Sequence, residues 1–192
     1  MKGRLIYLVG PSGAGKDSLL EACRERLLLQ ECRIAPRQVT RVSGEPEGGT
    51  SCISPDEFEA LERSAAFALH WHANGIAYGI PLVIDQWLAE GYSVVVNGSR
   101  EYLPQALCRY PGMLTVLLSV QPAVLRQRLL QRGRESLDEV EARLARNRRF
   151  ADGLESEYER VIILDNSGPL SDTAERFLQT VCTGRTTAQD CP

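Results

Sequence analysis

The sequence predicts a three-layer α/β fold around a parallel sheet. Three observations predict it: short apolar runs that do not alternate, helical patterns between them, and a glycine-rich turn joining the first run to the first helix. Strands that are apolar at every position are covered on both faces, as in a parallel sheet lying between helices.

Arg4–Val9 (RLIYLV) is the first such strand. The helix after it, Asp17–Gln30, carries Leu19, Leu20, Cys23 and Leu27 on one side. Leu82–Glu90 is helical and stops at Gly91, a favoured C-terminal cap. Tyr92–Val96 is the next strand, and Met113–Val120 the one after. Pro122 opens a helix over Ala123–Arg132, since proline suits a first helical turn. Val161–Leu164 is the last strand, and Leu170, Ala174, Phe177, Leu178 and Val181 mark an amphipathic final helix.

Two stretches break this rhythm and read as inserted lobes. Residues 42–80 open rich in Gly and Pro, then start a helix with the capping box Ser54–Glu57, and close on HWHANGIAYGI. Residues 133–150 form a charged helical segment. The expected division is a single domain: core 1–41, 81–132 and 151–182, one lobe at 42–80, a lid at 133–150 and a polar tail at 183–192.

The 192 residues suffice for one domain with a real core, and 43% hydrophobic with 24% charged residues is ordinary for a globular chain. A net charge of −3 excludes a strongly basic protein that coats nucleic acid. Six cysteines without a C-x-x-C pair, and only two histidines, argue against a zinc site. No signal peptide and no membrane span are readable, so the expected location is the cytoplasm, with no nucleic-acid or membrane partner.

Gly10, Pro11, Ser12, Gly13, Ala14, Gly15 and Lys16 spell G-x-x-x-x-G-K between the first strand and the first helix. Glycines let backbone N–H groups turn toward a polyanion, and the helix N-terminus adds partial positive charge. Lys16 would meet the β- and γ-phosphates of a nucleoside triphosphate. Where most such loops place Ser or Thr after the lysine, this chain has Asp17, then Ser18. Asp17 either ligates Mg²⁺ or favours the helix N-terminus electrostatically; the sequence leaves both open.

Lys2 and Lys16 are the only lysines, and neither sits in a guanine-recognition motif of GTPases, which excludes that class. The apolar strands end in Asn97 and Gln121 rather than in an acidic metal ligand, unlike motor-type ATPases. Two inserted lobes instead suit a kinase of small phosphorylated molecules, one lobe holding the acceptor and the other closing over ATP. Eight arginines lie between Arg126 and Arg149 against four acids, and Arg143, Arg146 and Arg149 share roughly one helix face. Arginines aimed at a moving phosphoryl group stabilise its charge, so Arg132 and Arg143 are candidate catalytic residues beside Lys16.

Over nearly its whole length the chain resembles the guanylate kinase family. The resemblance rests on residues 10–16, on Thr40 with Arg41, on Gly44 with Glu45 and Gly48, on Gly75 with Tyr78 and Gly79, and on Arg132 spaced eleven residues from Arg143. It implies a P-loop kinase fold with an acceptor-binding lobe and a lid, ATP and Mg²⁺ as cofactors, Arg41 and Tyr78 on the acceptor phosphate, and Arg132 and Arg143 on ATP. It also implies that the adenine lies near Asp165 and Asn166.

The departures point away from guanine. Where guanylate kinases carry a phosphate-binding tyrosine, this chain reads Thr50–Ile53; where they carry two base-reading acids it has Leu69 and Asn97. Unpaired base donors would cost about 1–3 kcal/mol each. His70, His72, Asn97, Ser99 and Arg100 are neutral or positive groups suited to a doubly phosphorylated sugar. With Asp17, they make the chain similar to the ribose 1,5-bisphosphate phosphokinase branch. That resemblance implies ATP-dependent phosphorylation of α-D-ribose 1,5-bisphosphate to 5-phospho-α-D-ribose 1-diphosphate. The rivals are a nucleoside monophosphate kinase and a non-catalytic guanylate-kinase-like interaction module. Locally, either histidine could serve packing instead, Trp71 reads as core, and Asn97 with Gly98 could be a plain turn.

Overall fold

A computed structural model describes residues 3–40, 49–73, 75–133, 136–145 and 161–183. Five parallel strands form the central sheet in the order β2-β7-β1-β8-β9. They are β1 (Leu5–Val9), β2 (Cys32–Ile34), β7 (Ser93–Asn97), β8 (Leu114–Ser119) and β9 (Val161–Asp165). The non-alternating runs are explained by cover on both faces. Ile6 and Leu8 point toward α1 (Lys16–Leu29) and α7 (Leu170–Thr183), where Leu19, Cys23, Leu27, Phe177 and Leu178 complete one core cluster. Leu5, Tyr7 and Val9 point the other way, toward Ile84 of α3 (Val83–Ala89) and toward Leu103 and Ala106 of α4 (Leu103–Arg109). β9 is the exception: it is an edge strand, and Ile162 and Ile163 stay partly exposed.

The second sheet has the order β4-β3-β6-β5, from β3 (Arg37–Val39), β4 (Thr50–Cys52), β5 (Phe67–Ala73) and β6 (Ile76–Pro81). This second sheet thus includes Arg37–Val39, from the stretch expected to be core. A three-residue strand carries too little pattern to be seen in sequence; what defines it is its antiparallel pairing with β6, Gln38 opposite Gly79 and Val39 opposite Tyr78. Thr40 closes that edge, accepting 2.8 Å from the Ala77 N–H while its own N–H donates to Ala77 O at 3.1 Å. α2 (Pro55–Arg63) starts at the expected capping box, with the Glu57 N–H on Ser54 Oγ and the Ser54 N–H on the Glu57 carboxylate. Phe58 of α2 and Phe67 stack 4.8 Å apart over one face of this sheet.

α5 (Pro122–Arg132) ends at Gly133, whose left-handed backbone (φ 61) stops the helix. The segment after it is helical over residues 137–145 (α6). Val140 and Leu144 pack on Leu125 and Leu129 of α5, so α6 rests on an apolar seam of its own. Among the described residues, no helix is long and apolar enough to cross a membrane.

Candidate active site

The carboxyl ends of the parallel strands gather at one edge of the sheet, where open α/β folds bind ligands. β1 delivers Gly10–Gly15 there, β7 delivers Asn97–Arg100, and β9 delivers Asn166. Gly13 and Gly15 both have φ 91, the left-handed region that a side chain disfavours. A side chain at Gly15 would also run into Asn166 Nδ2 at 2.8 Å. Gly15 is the N-cap of α1, and no side chain caps that end, so the helix presents its first N–H groups to a ligand. This cradle fits a triphosphate.

Lys16 is half-buried and its Nζ donates to Gly10 O at 2.8 Å and Pro11 O at 3.2 Å, which lays the ammonium across the loop. Asn166, 2% exposed, braces the loop from beneath by donating Nδ2–H to Ala14 O at 2.7 Å. Arg128 in turn donates to Asn166 O at 2.8 Å. Beside them opens a cavity of about 340 Å³, lined by Gly13, Gly15, Ser18, Arg128, Gln131 and Asn166 among others. Ser18 thus borders this cavity. The resemblance put Asn166 near the adenine, and here it braces the loop; Arg128 was not singled out by the sequence.

From α6, Arg143 Nη1 donates to Ser12 Oγ at 3.2 Å, which brings a candidate catalytic arginine onto the loop. Arg126 of α5 pairs with Glu141 of α6 at 2.6 Å. Arg41 and the side chain of Arg132 lie outside the described residues, as do Arg146 and Arg149.

Asp17 is the meeting point of the two sheets. Its Oδ1 accepts from Asn97 Nδ2 at 2.9 Å and from Arg37 Nη2 at 3.2 Å. Asn97 is thereby more than a turn residue: 8% exposed, it holds the carboxylate in place. The Asp17 side chain is 40% exposed. Mg²⁺ commonly takes one or two carboxylates and fills its sphere with water and phosphate oxygens, so one accessible carboxylate beside Lys16 fits it. Asp17 also lies in the first turn of α1, where its charge favours the helix N-terminus.

The lobe sheet sorts the remaining candidates by face. Pairing of Arg37 with Thr50, Val39 with Tyr78, and Tyr78 with Trp71 puts all of these on the face toward the central sheet. Trp71 (8% exposed) stacks on Tyr78 with centroids 5.4 Å apart and packs on Tyr102, so it is core, as expected. Leu69, 1% exposed, lies in the same apolar cluster, so nothing there can read a base edge.

His70 and His72 fall on the opposite face. His70 Nδ1 lies 3.0 Å from Glu62 Oε1 of α2, and the His72 ring meets the Phe58 ring edge-on at 5.9 Å. The structure does not bring them to the loop. The period of two in HWH separates them from Trp71, and α2 covers the face they occupy. In this structure both side chains contact α2, on the face of the sheet away from the loop.

Ser99 and Arg100 follow β7 at the site's edge. The Ser99 backbone is held on both sides by Tyr7, whose hydroxyl donates to Ser99 O and accepts from the Ser99 N–H, each at 3.1 Å. Burial pushes the Tyr7 hydroxyl well above the ordinary tyrosine range, and it pulls the Arg100 guanidinium below its own.

The chain is similar to ribose 1,5-bisphosphate phosphokinase PhnN of Pseudomonas paraeruginosa, at 59% identity over 178 residues that cover 93% of this chain and 95% of the relative. Proteins of the same description from Pseudomonas fluorescens and Azotobacter vinelandii are 54% and 55% identical, covering 93% and 94% of this chain and 94% and 97% of theirs. Among solved structures, a guanylate kinase from Anaplasma phagocytophilum superposes with a TM-score of 0.73 at 19% identity, covering 97% of this chain and 88% of that one. A gluconokinase from Sinorhizobium meliloti 1021 gives 0.52, also at 19% identity, over 95% of this chain and 93% of that one. At such identities these two speak to the fold alone. No family model matches the chain.

Proposed function

This chain belongs to the ribose 1,5-bisphosphate phosphokinase family, and from that membership we infer that it is an ATP-dependent kinase converting α-D-ribose 1,5-bisphosphate to 5-phospho-α-D-ribose 1-diphosphate. The single observation that carries the site-level reading is the convergence on Asp17. Arg37 and Asn97 meet there, beside an intact phosphate loop, and Asn97 stands where a base-reading acid would.

An oxygen of the acceptor's 1-phosphate attacks the γ-phosphorus of ATP. The bond from that phosphorus to the β,γ-bridging oxygen breaks, and ADP leaves with that oxygen. A phosphate oxygen is already anionic, so no strong base is required, and the work is positioning and charge neutralisation. The loop from Gly10 to Gly15, with the N-terminus of α1, binds the donor phosphates. Lys16 and Arg143 supply positive charge to the phosphoryl group in flight, and Arg132 is assigned the same role by family resemblance. Bound Mg²⁺ would neutralise the β- and γ-oxygens, with Asp17 as the residue to hold it. Arg41, Tyr78, Ser99 and Arg100 are the proposed acceptor side of the site, with Asn97 acting through Asp17. The loop braced by Asn166 beside the cavity gives the nucleoside its place.

A coupled assay of ADP release tests the acceptor. Ribose 1,5-bisphosphate is expected to exceed GMP in kcat/KM by at least about 100-fold, because a pocket without paired acids leaves guanine donors unmet. GMP turning over better would end this reading in favour of a nucleoside monophosphate kinase, and no turnover of either would favour an interaction module. Arg143→Ala is expected to lower kcat at least about tenfold while the KM for the bisphosphate stays within about twofold, since an arginine acting on the transferring group works in the transition state. An unchanged kcat removes Arg143 from the chemistry.

A further inference from the structure

We propose that Arg37 is an acceptor-phosphate ligand, gripping the 1-phosphate of the sugar and setting the preference for a bisphosphate over a monophosphate. The assignment rests on the acceptor reading above. Arg37 sits on β3, on the face of the lobe sheet turned toward the phosphate loop, with its side chain 19% exposed. Its Nη2 donates to Asp17 Oδ1 and to Thr50 Oγ1, each at 3.2 Å. Its guanidinium carbon lies 5.9 Å from the centre of the Tyr78 ring. A guanidinium has five N–H donors in a planar fork. Both recorded bonds leave from Nη2, so among the described residues Nε and Nη1 donate to nothing.

Three donors on a largely buried cation, aimed from a rigid strand, form the unused half of an anion site. A carboxylate oxygen and a phosphate oxygen present the same hydrogen-bond geometry to a guanidinium. Asp17 directly follows Lys16, so a group bonded to Asp17 stands beside the point where the phosphoryl group is transferred. The phosphate that Arg37 reaches is therefore the reacting one, not the distant 5-phosphate. Thr50 supports this placement by fixing Nη2, and Tyr78 limits the guanidinium on its ring side. The competing account is a structural brace, in which Arg37 merely ties β3 to α1 through Asp17.

Calorimetric titration of the whole chain, without ATP, separates the two. The probes are ribose 1,5-bisphosphate and ribose 5-phosphate, applied to wild type, Arg37→Ala and Arg37→Lys. Arg37→Ala is expected to weaken bisphosphate binding at least about tenfold and ribose 5-phosphate binding less than about twofold, the loss expected for a charge-assisted pair to one phosphate. Arg37→Lys should recover part of the affinity, since lysine restores the charge without the fork. Equal weakening of both sugars overturns the ligand assignment in favour of the brace, and no weakening of either overturns both accounts. Should Arg37→Ala fail to fold, Arg37→Lys carries the comparison, and equal affinity ratios in it and in wild type count against the proposal. A wild type that binds neither sugar phosphate overturns the acceptor reading itself and, with it, the assignment of Arg37.

Discussion

Replacing Lys16 by alanine is expected to lower kcat by at least about 100-fold, on the order of 3 kcal/mol of barrier, in a protein that still folds. The expectation rests on geometry and on scarcity. Lys16 is half-buried at the start of α1, and its ammonium spans Gly10 O and Pro11 O. No other lysine can stand in, because the chain has only Lys2 besides. The neighbouring cations are arginines on other elements: Arg143 reaches Ser12 from the lid, and Arg37 reaches Asp17 from the lobe. The variant therefore loses the one positive charge that belongs to the loop itself. Its structural cost is small, since Pro11 O keeps its bond from the Ala14 N–H and Gly10 is only half-buried. Melting temperature and kcat should separate cleanly, with the first little changed and the second collapsed. Turnover near that of wild type would sink the proposed mechanism.

The contrast between Lys16 and Arg37 shows what a sequence of this kind makes legible. Lys16 lies in a continuous local pattern: an apolar strand, a spaced pair of glycines, a lysine and a helix. Each part constrains the next, and the structure follows it from Leu5 to Leu29 with ends shifted by a residue. The capping box at Ser54 and the amphipathic face of α7 are local in the same way. Arg37 lies on a strand of three residues whose partners are thirteen and more residues away in β4 and β6. No short window contains that information. The same limit applies to His70 and His72. The period of two in HWH separates Trp71 from the histidines, but it does not say which face looks toward the phosphate loop. Both faces of that sheet are covered, one by α2 and one by the core, so burial could not be used to choose. The sequence signal for Arg37 is its period-two spacing from Val39 and from the acceptor candidate Arg41.

Gly98→Ala is the second large expected effect, and it tests how the acceptor edge is built. A methyl group at Gly98 would sit 2.1 Å from Tyr7 Cζ and 2.5 Å from the Tyr7 hydroxyl, far inside van der Waals contact. The ring cannot yield cheaply. Tyr7 is fully buried in the middle of β1, between Ile6 and Leu8, and its hydroxyl is tied to both the N–H and the carbonyl of Ser99. Either β1 shifts, moving Gly10 and the loop, or the end of β7 shifts, moving Ser99 and Arg100. Overpacking of this kind costs about 1–3 kcal/mol, and more where neither side relaxes. The expected result is a melting temperature lowered by several degrees, about 2–4 °C for each kcal/mol in a chain of this size. In whatever fraction remains folded, the KM for the bisphosphate should rise more than the KM for ATP. Gly112→Ala is the control. A methyl group there meets nothing within 4 Å and its φ is ordinary, so it should be neutral or slightly stabilising. If the two variants melt alike, Tyr7 does not wedge the end of β7, and the placement of Ser99 and Arg100 at the acceptor edge loses its structural cause. If only Gly98→Ala falls, the buried tyrosine hydroxyl is what holds that edge in register with the phosphate loop, because β1 carries both.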